Sequence, residues 1–187
     1  MKHLVNIIGQ LQEIRFMSNT NFNKLAKEIH QYNKEAGWWD GDREIETALM
    51  LVVTEIAVAT EGERKDLMDD HLPNRKMGEV ELADALIRML DIGGYLGIHY
   101  DEDYAWEFEG NIYAEHLYLT ECITSMSRLV GTEGLIEEYS YFINGIYETG
   151  RGMGYDINAA MYEKLEYNKT RADHKKENRA KAGGKKV

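Results

Sequence analysis

The stretch GEVELADALIRMLD, residues 78–91, decides how the rest of the chain is read. Glu81, Asp84, Arg88 and Asp91 fall at i, i+3, i+7 and i+10, on one narrow face of an α-helix. Val80, Ala83, Ile87 and Leu90 take the neighbouring face. Carboxylates bordering an apolar stripe repel one another and are poorly hydrated unless a cation is shared among them. The alternative is a solvated acidic face on which Arg88 pairs with Asp84 and Asp91. The helix carrying the motif is expected over Met77–Leu96, stopped by GGYLG.

Working outward, one proline in 187 residues and repeated 3.6-residue apolar periods predict an all-α chain. Asn21 caps FNKLAKEIHQYNKEAG, in which Phe22, Leu25, Ala26, Ile29 and Tyr32 form a stripe and Gly37 closes the end. Asp42 caps a second helix with Glu44 and Glu46 in its first turn. Its core stripe is Ile45, Ala48, Leu49, Val52, Val53, Ile56 and Thr60, and Gly62 marks its end. Pro73 lies in the loop DDHLPNRK, and DEDYAWEFEGN (101–111) reads as a loop or short helix. Further helices are expected over 112–130, 133–149 and 156–168, where Tyr113, Tyr118, Tyr139, Tyr141 and Tyr147 serve packing.

The length and the 43% hydrophobic content suit one domain over residues 1–187. Cys122 is the single cysteine and reads as a small core hydrophobe, which suits a reducing, cytoplasmic setting. MKHLVNIIGQLQEIRF at the amino end lacks the apolar block of a signal peptide, and no run is long enough to span a membrane. Net charge is −11; residues 164–187 carry nine Lys/Arg against three Asp/Glu, or +6, leaving −17 on the rest. An acidic body argues against nucleic acid as a partner and suits a protein that holds divalent cations.

The helix before Pro73 and the one after it form an antiparallel hairpin in which Glu55 can face Glu81 and Asp84. Three carboxylates, completed by water and a substrate phosphate, suit Mg²⁺ or Mn²⁺. Adjacent side chains diverge, so one of Trp38 and Trp39 in GWWD is free to stack on a nucleobase or to anchor an interface, in preference to Trp106. After Tyr167 and Asn168, the cations Lys169, Arg171, His174, Lys175 and Arg179 form either a phosphate-binding strand or a solubilising tail.

The residues from Glu55 to Glu61, ELAD at 81–84, GWWDG at 37–41 and the closing YNKTRADHKKENRAKAGGKK together resemble the MazG-type all-α nucleoside triphosphate pyrophosphohydrolases, especially phage-encoded members. The likeness is strongest over 37–92 and 155–186. It implies a helical bundle completed by association into a homo-oligomer, dimer or tetramer, in the host cytoplasm if phage-encoded. It also implies hydrolysis of a (deoxy)nucleoside triphosphate to the monophosphate and pyrophosphate. Glu55, Glu81 and Asp84 match the catalytic and magnesium-binding carboxylates of an ExxE and ExxD pair. Trp38, Trp39, Asn168, Lys169, Arg171, Lys175 and Arg179 become substrate-binding residues, in a tail over 169–187 that orders on nucleotide. Val58 stands where the second Glu of ExxE is expected, and Glu61 points too far round the helix to replace it. Asp91 or Glu63 could supplement the three remaining carboxylates. The competing reading is an impaired or engineered-inactive homologue that binds or sequesters nucleotides without cleaving them. A purely structural helical module is a third.

Overall fold

Helix α3, Met77–Leu96, has no solvent face over most of its length: every residue from Gly78 to Gly93 is buried except Arg88. The structure is a computed structural model that describes residues 21–41, 43–174 and 176–179. Around α3 lie α1 (Phe22–Glu35), α2 (Ile45–Lys65), α5 (Gly134–Met153) and α6 (Ile157–Thr170), each in direct contact with it. Helix α4 (Ile112–Leu129) pairs with α5 and covers α2. A single 3₁₀ turn, Ala172–His174, and the short α7, Lys176–Arg179, follow α6. The fold is all-α, with no strand among the described residues.

The expected two-faced α3 is corrected by its own composition. Leu82, Ala85, Leu86, Met89 and Ile92 fill the angles between the acidic face and the expected stripe, so the helix is wrapped on all sides. Its polar groups therefore need partners inside the bundle. Gly93 and Gly94 do not stop it. They admit neighbours, since a Cβ on Gly93 would stand 2.2 Å from Tyr139 Oη and one on Gly94 would stand 2.4 Å from the Ala26 carbonyl oxygen. Gly97, at φ 67°, forms the left-handed cap.

Asn21 caps α1 as expected, its Oδ1 accepting from Lys24 N at 2.9 Å. The α2 start is different: Asp42 lies outside the described residues, and Glu44 takes the cap position without a side-chain bond. Gly62 does not end α2. It is buried within the helix against Met77, and Asp66 at φ 52° ends it instead. The turn into α3 is closed by Asp69, whose carboxylate accepts from His71 N (2.9 Å) and Leu72 N (2.7 Å), so α2 and α3 form the expected antiparallel hairpin. Helices α5 and α6 run further than expected, to Met153 and Thr170, and 101–111 is a loop pinned where Trp106 Nε1 donates to the buried Glu115 at 2.8 Å.

Cys122 is buried as expected, and burial pushes its thiol up to about 12. Tyr139 is a core residue and Tyr147 packs on Phe22, but Tyr113 is largely exposed, contrary to its expected packing role. No described helix is long and apolar enough to cross a membrane. The reading of the amino-terminal segment falls outside the described residues.

Candidate metal and nucleotide site

Glu55 of α2 and Glu81 and Asp84 of α3 meet across the hairpin groove, with one carboxylate oxygen from each lying within 4.8 Å of the others. Glu81 and Asp84 are buried and Glu55 is nearly so. Three hard oxygen donors at this separation fit a Mg²⁺ or Mn²⁺ ion, which takes carboxylate oxygens and keeps water on its remaining positions. Burial is the main cause that raises the Glu81 carboxyl to about 8; Lys164 opposes it, and the negative charges of Asp84 and Glu55 add to it.

Lys164 is the residue that the reading of motifs missed. It is 1% exposed, and its Nζ lies 3.5 Å from Glu81 Oε1 and 3.6 Å from Asp84 Oδ2. Burial alone would pull its ammonium down, but Asp84, Glu81 and Asp69 together hold it above the usual lysine value. A signal was present in the sequence: Ile157, Ala160, Met161 and Lys164 fall at i, i+3, i+4 and i+7, so the lysine ends the apolar stripe of α6. The same face continues through Asn168 and Arg171, at i+4 and i+7 from Lys164.

Arg88 is corrected from its expected role on α3. It reaches across to α2, where its Nη2 donates to Glu55 Oε1 at 2.7 Å, and its buried Nε has no partner among the described residues. Asp91 is corrected more fully. Its carboxylate accepts from His30 Nδ1 at 2.9 Å, Asn33 Nδ2 at 2.8 Å and Trp39 Nε1 at 3.0 Å to each oxygen. It ties α1 and the GWWD turn to α3, with both carboxylate oxygens engaged by these donors. It lies seven positions beyond Asp84 on the helix, about 10.5 Å along the axis. Glu63 is likewise engaged, accepting from the Tyr155 hydroxyl at 2.5 Å. Glu61 points away, held well below the usual carboxylate range at about 2 by Arg64 and Lys65.

Beside the carboxylates opens a cavity of about 600 Å³ that collects most of the expected substrate residues. Asp84 and Arg88 stand at one part of its wall, and Trp38, Trp39, Asn168, Lys169 and Arg171 at others, with Leu25, Ile29, Leu51, Ile87 and Leu165 supplying apolar surface. The two tryptophans diverge as expected. Trp39 is not open for stacking: it lies on Tyr95 (4.1 Å, 16°) with the Arg43 guanidinium 4.9 Å over its ring. Trp38 meets His174 edge to face at 5.3 Å.

The basic segment differs from a free tail. Lys169 lies on α6 and is paired with Glu166, while Lys176 reaches Asp40 of the GWWD turn at 2.5 Å. The Arg171 guanidinium sits 5.9 Å over Tyr167, which itself stacks on His71. Asn168 Oδ1 is buried without a hydrogen-bond partner among the described residues. Lys175 and the side chain of Arg179 fall outside the described residues, as does 180–187 of the expected tail. Val58 is 37% exposed, on the solvent side of α2 one turn beyond Glu55.

Comparison of the chain with protein-family models, curated proteins and solved structures found no match.

Proposed function

We propose that this protein is a metal-dependent nucleoside triphosphate pyrophosphohydrolase of the MazG-like type, cleaving a (deoxy)nucleoside triphosphate between its α and β phosphates. The observation that carries the reading is a three-carboxylate cluster that shares one member, Asp84, with the wall of a cavity of nucleoside size, where an amide, a guanidinium and an indole also stand. Glu55, Glu81 and Asp84 would hold Mg²⁺ or Mn²⁺, which when bound offsets charge on the phosphates and favours ionisation of water.

The remaining work falls to side chains. Arg171 on the cavity wall and Lys164, buried beside Asp84, give the phosphates cationic partners at two depths. Asn168 Oδ1 offers an acceptor to a ligand N–H or O–H, which matches a nucleobase or sugar donor better than it matches phosphate. Trp38 and the aliphatic wall exclude water from the base. Glu55, steered by Arg88, is the candidate to take the proton of the attacking water. Met50 and Leu117 on the outer faces of α2 and α4 are exposed apolar residues that favour completion of the bundle by a second copy.

A second reading, nucleotide binding without turnover, is favoured by Val58, which leaves the first helix with one carboxylate where the family pattern has two. Both are tested by pyrophosphate release from a panel of ribo- and deoxyribonucleoside triphosphates with Mg²⁺ or Mn²⁺, run beside Val58→Glu. Turnover by the chain with Val58 supports the enzyme. Turnover by the variant alone supports the binding protein, and silence from both with no nucleotide binding refutes both readings.

A further inference from the structure

We propose that Lys164 is a built-in occupant of the cation site, so that a divalent cation enters tightly only together with a polyphosphate that takes the ammonium over. The inference rests on the metal and nucleotide reading of the site. Its geometry is direct: the ammonium lies 3.5 and 3.6 Å from two of the three carboxylates, is 1% exposed, and belongs to a helix other than those that carry them. An ammonium carries three donors and one positive charge, enough to satisfy and partly neutralise a buried acidic cluster.

The same position makes it a competitor. A divalent cation drawing Glu55, Glu81 and Asp84 around itself would stand next to the ammonium, and like charges at that range repel strongly in a poorly hydrated site. Ile157, Ala160 and Met161 pin the backbone of α6, so Lys164 cannot leave by moving its helix. Its four-carbon stem can still redirect the ammonium. The face of α6 provides the destination. Asn168 and Arg171 stand on the cavity wall, and Lys164 lies buried behind that wall, 3.6 Å from Asp84, which also lines the cavity, so a polyphosphate bound against Asp84 brings its oxygens within reach of a redirected ammonium. Bound phosphate oxygens convert the repulsion into a bridge, carboxylate to cation to phosphate to lysine. Cation and nucleotide then bind with positive coupling, and each raises the affinity of the other by the same factor.

The test is Mn²⁺ binding to the full chain, followed by electron paramagnetic resonance, with and without a non-hydrolysable α,β-methylene deoxynucleoside triphosphate. Free Mn²⁺ and the Mn²⁺ complex of the analogue are both calibrated without protein. The wild type is expected to bind Mn²⁺ alone weakly and at least about tenfold more tightly with the analogue. Lys164→Met is expected to bind Mn²⁺ alone about tenfold more tightly than the wild type and to gain little from the analogue, whereas Lys164→Arg keeps the wild-type pattern. Equal Mn²⁺ affinity of Lys164→Met and wild type without analogue would overturn the proposal. So would a wild type whose Mn²⁺ affinity the analogue leaves unchanged, a comparison that needs no variant to fold. Turnover plays no part in these readouts, so failure of pyrophosphate release would count against the hydrolase reading and leave this one to be judged on binding.

Discussion

Replacing Asp91 by alanine should destabilise the protein by roughly 3 kcal/mol, and the figure follows from what the carboxylate holds. One side chain, 6% exposed, accepts from three donors on other segments, at 2.8 to 3.0 Å. Alanine leaves His30, Asn33 and Trp39 without their acceptor, and each unpaired buried donor costs about 1–3 kcal/mol. These three are only partly buried, so the lower end applies to each. Asp91 gives some of this back, because burial pushes its own carboxyl up despite the three donors. Asp91→Asn keeps the shape but turns an NH₂ group toward donors, so a smaller loss of about 1–2 kcal/mol is expected. Urea unfolding followed by circular dichroism reads the loss, and tryptophan fluorescence reads the loosening of the GWWD turn. Mn²⁺ affinity should be unchanged in both variants. A loss under about 1 kcal/mol for alanine would refute the structural role of Asp91. A fall in Mn²⁺ affinity for Asp91→Asn, which keeps the side-chain shape, would return the residue to the cation site.

Val58→Glu, at a position 37% exposed, should change stability by no more than about 0.5 kcal/mol while raising pyrophosphate release, and paired melting curves and turnover assays check both parts. His116 receives no partner for its buried Nε2 among the described residues, and burial holds it down at about 4 against 6.5 when unfolded. Its folded form therefore binds fewer protons: stability is full above pH 6.5 and falls by about 3 kcal/mol toward pH 4 at ~1.36 kcal/mol per pH unit, a slope that His116→Gln should flatten in pH-dependent unfolding. Gly93→Ala should cost about 1–3 kcal/mol in thermal melts through its clash with the Tyr139 ring and hydroxyl, whose Oη, Cζ and Cε2 would stand 2.2, 2.5 and 2.7 Å from the added Cβ.

Regular features of the bundle were legible because they depend on local spacing. The bounds of α3, the cap at Asn21 and the facing of Glu55 toward Glu81 and Asp84 all follow from helical period and a short connection. What escaped depends on a third body. Arg88 pairs by default within its own helix, and only the approach of α2 gives it Glu55 instead. Asp91 is one more acid of a stripe until α1 and the GWWD turn bring three donors to it. Trp39 was placed among the substrate residues, but Tyr95 and Asp91 occupy its ring face and its N–H. Lys164 was hidden by its type, since lysine on an apolar stripe is ordinarily a stem that snorkels to solvent; here the route out is closed and the ammonium turns inward to two carboxylates. One helix end moved for a similar reason: Gly62 reads as a stop, whereas it is a contact point where α3 needs the space of a missing Cβ.

The most direct test is a crystal structure of the full chain with Mn²⁺ and a non-hydrolysable nucleoside triphosphate analogue, with the ion located by its anomalous signal. The account predicts Mn²⁺ held by Glu55, Glu81 and Asp84, phosphates between that ion and Arg171, and the base in the cavity beside Trp38 and Asn168. Mn²⁺ bound to other residues, or an analogue lying outside that cavity, would contradict it.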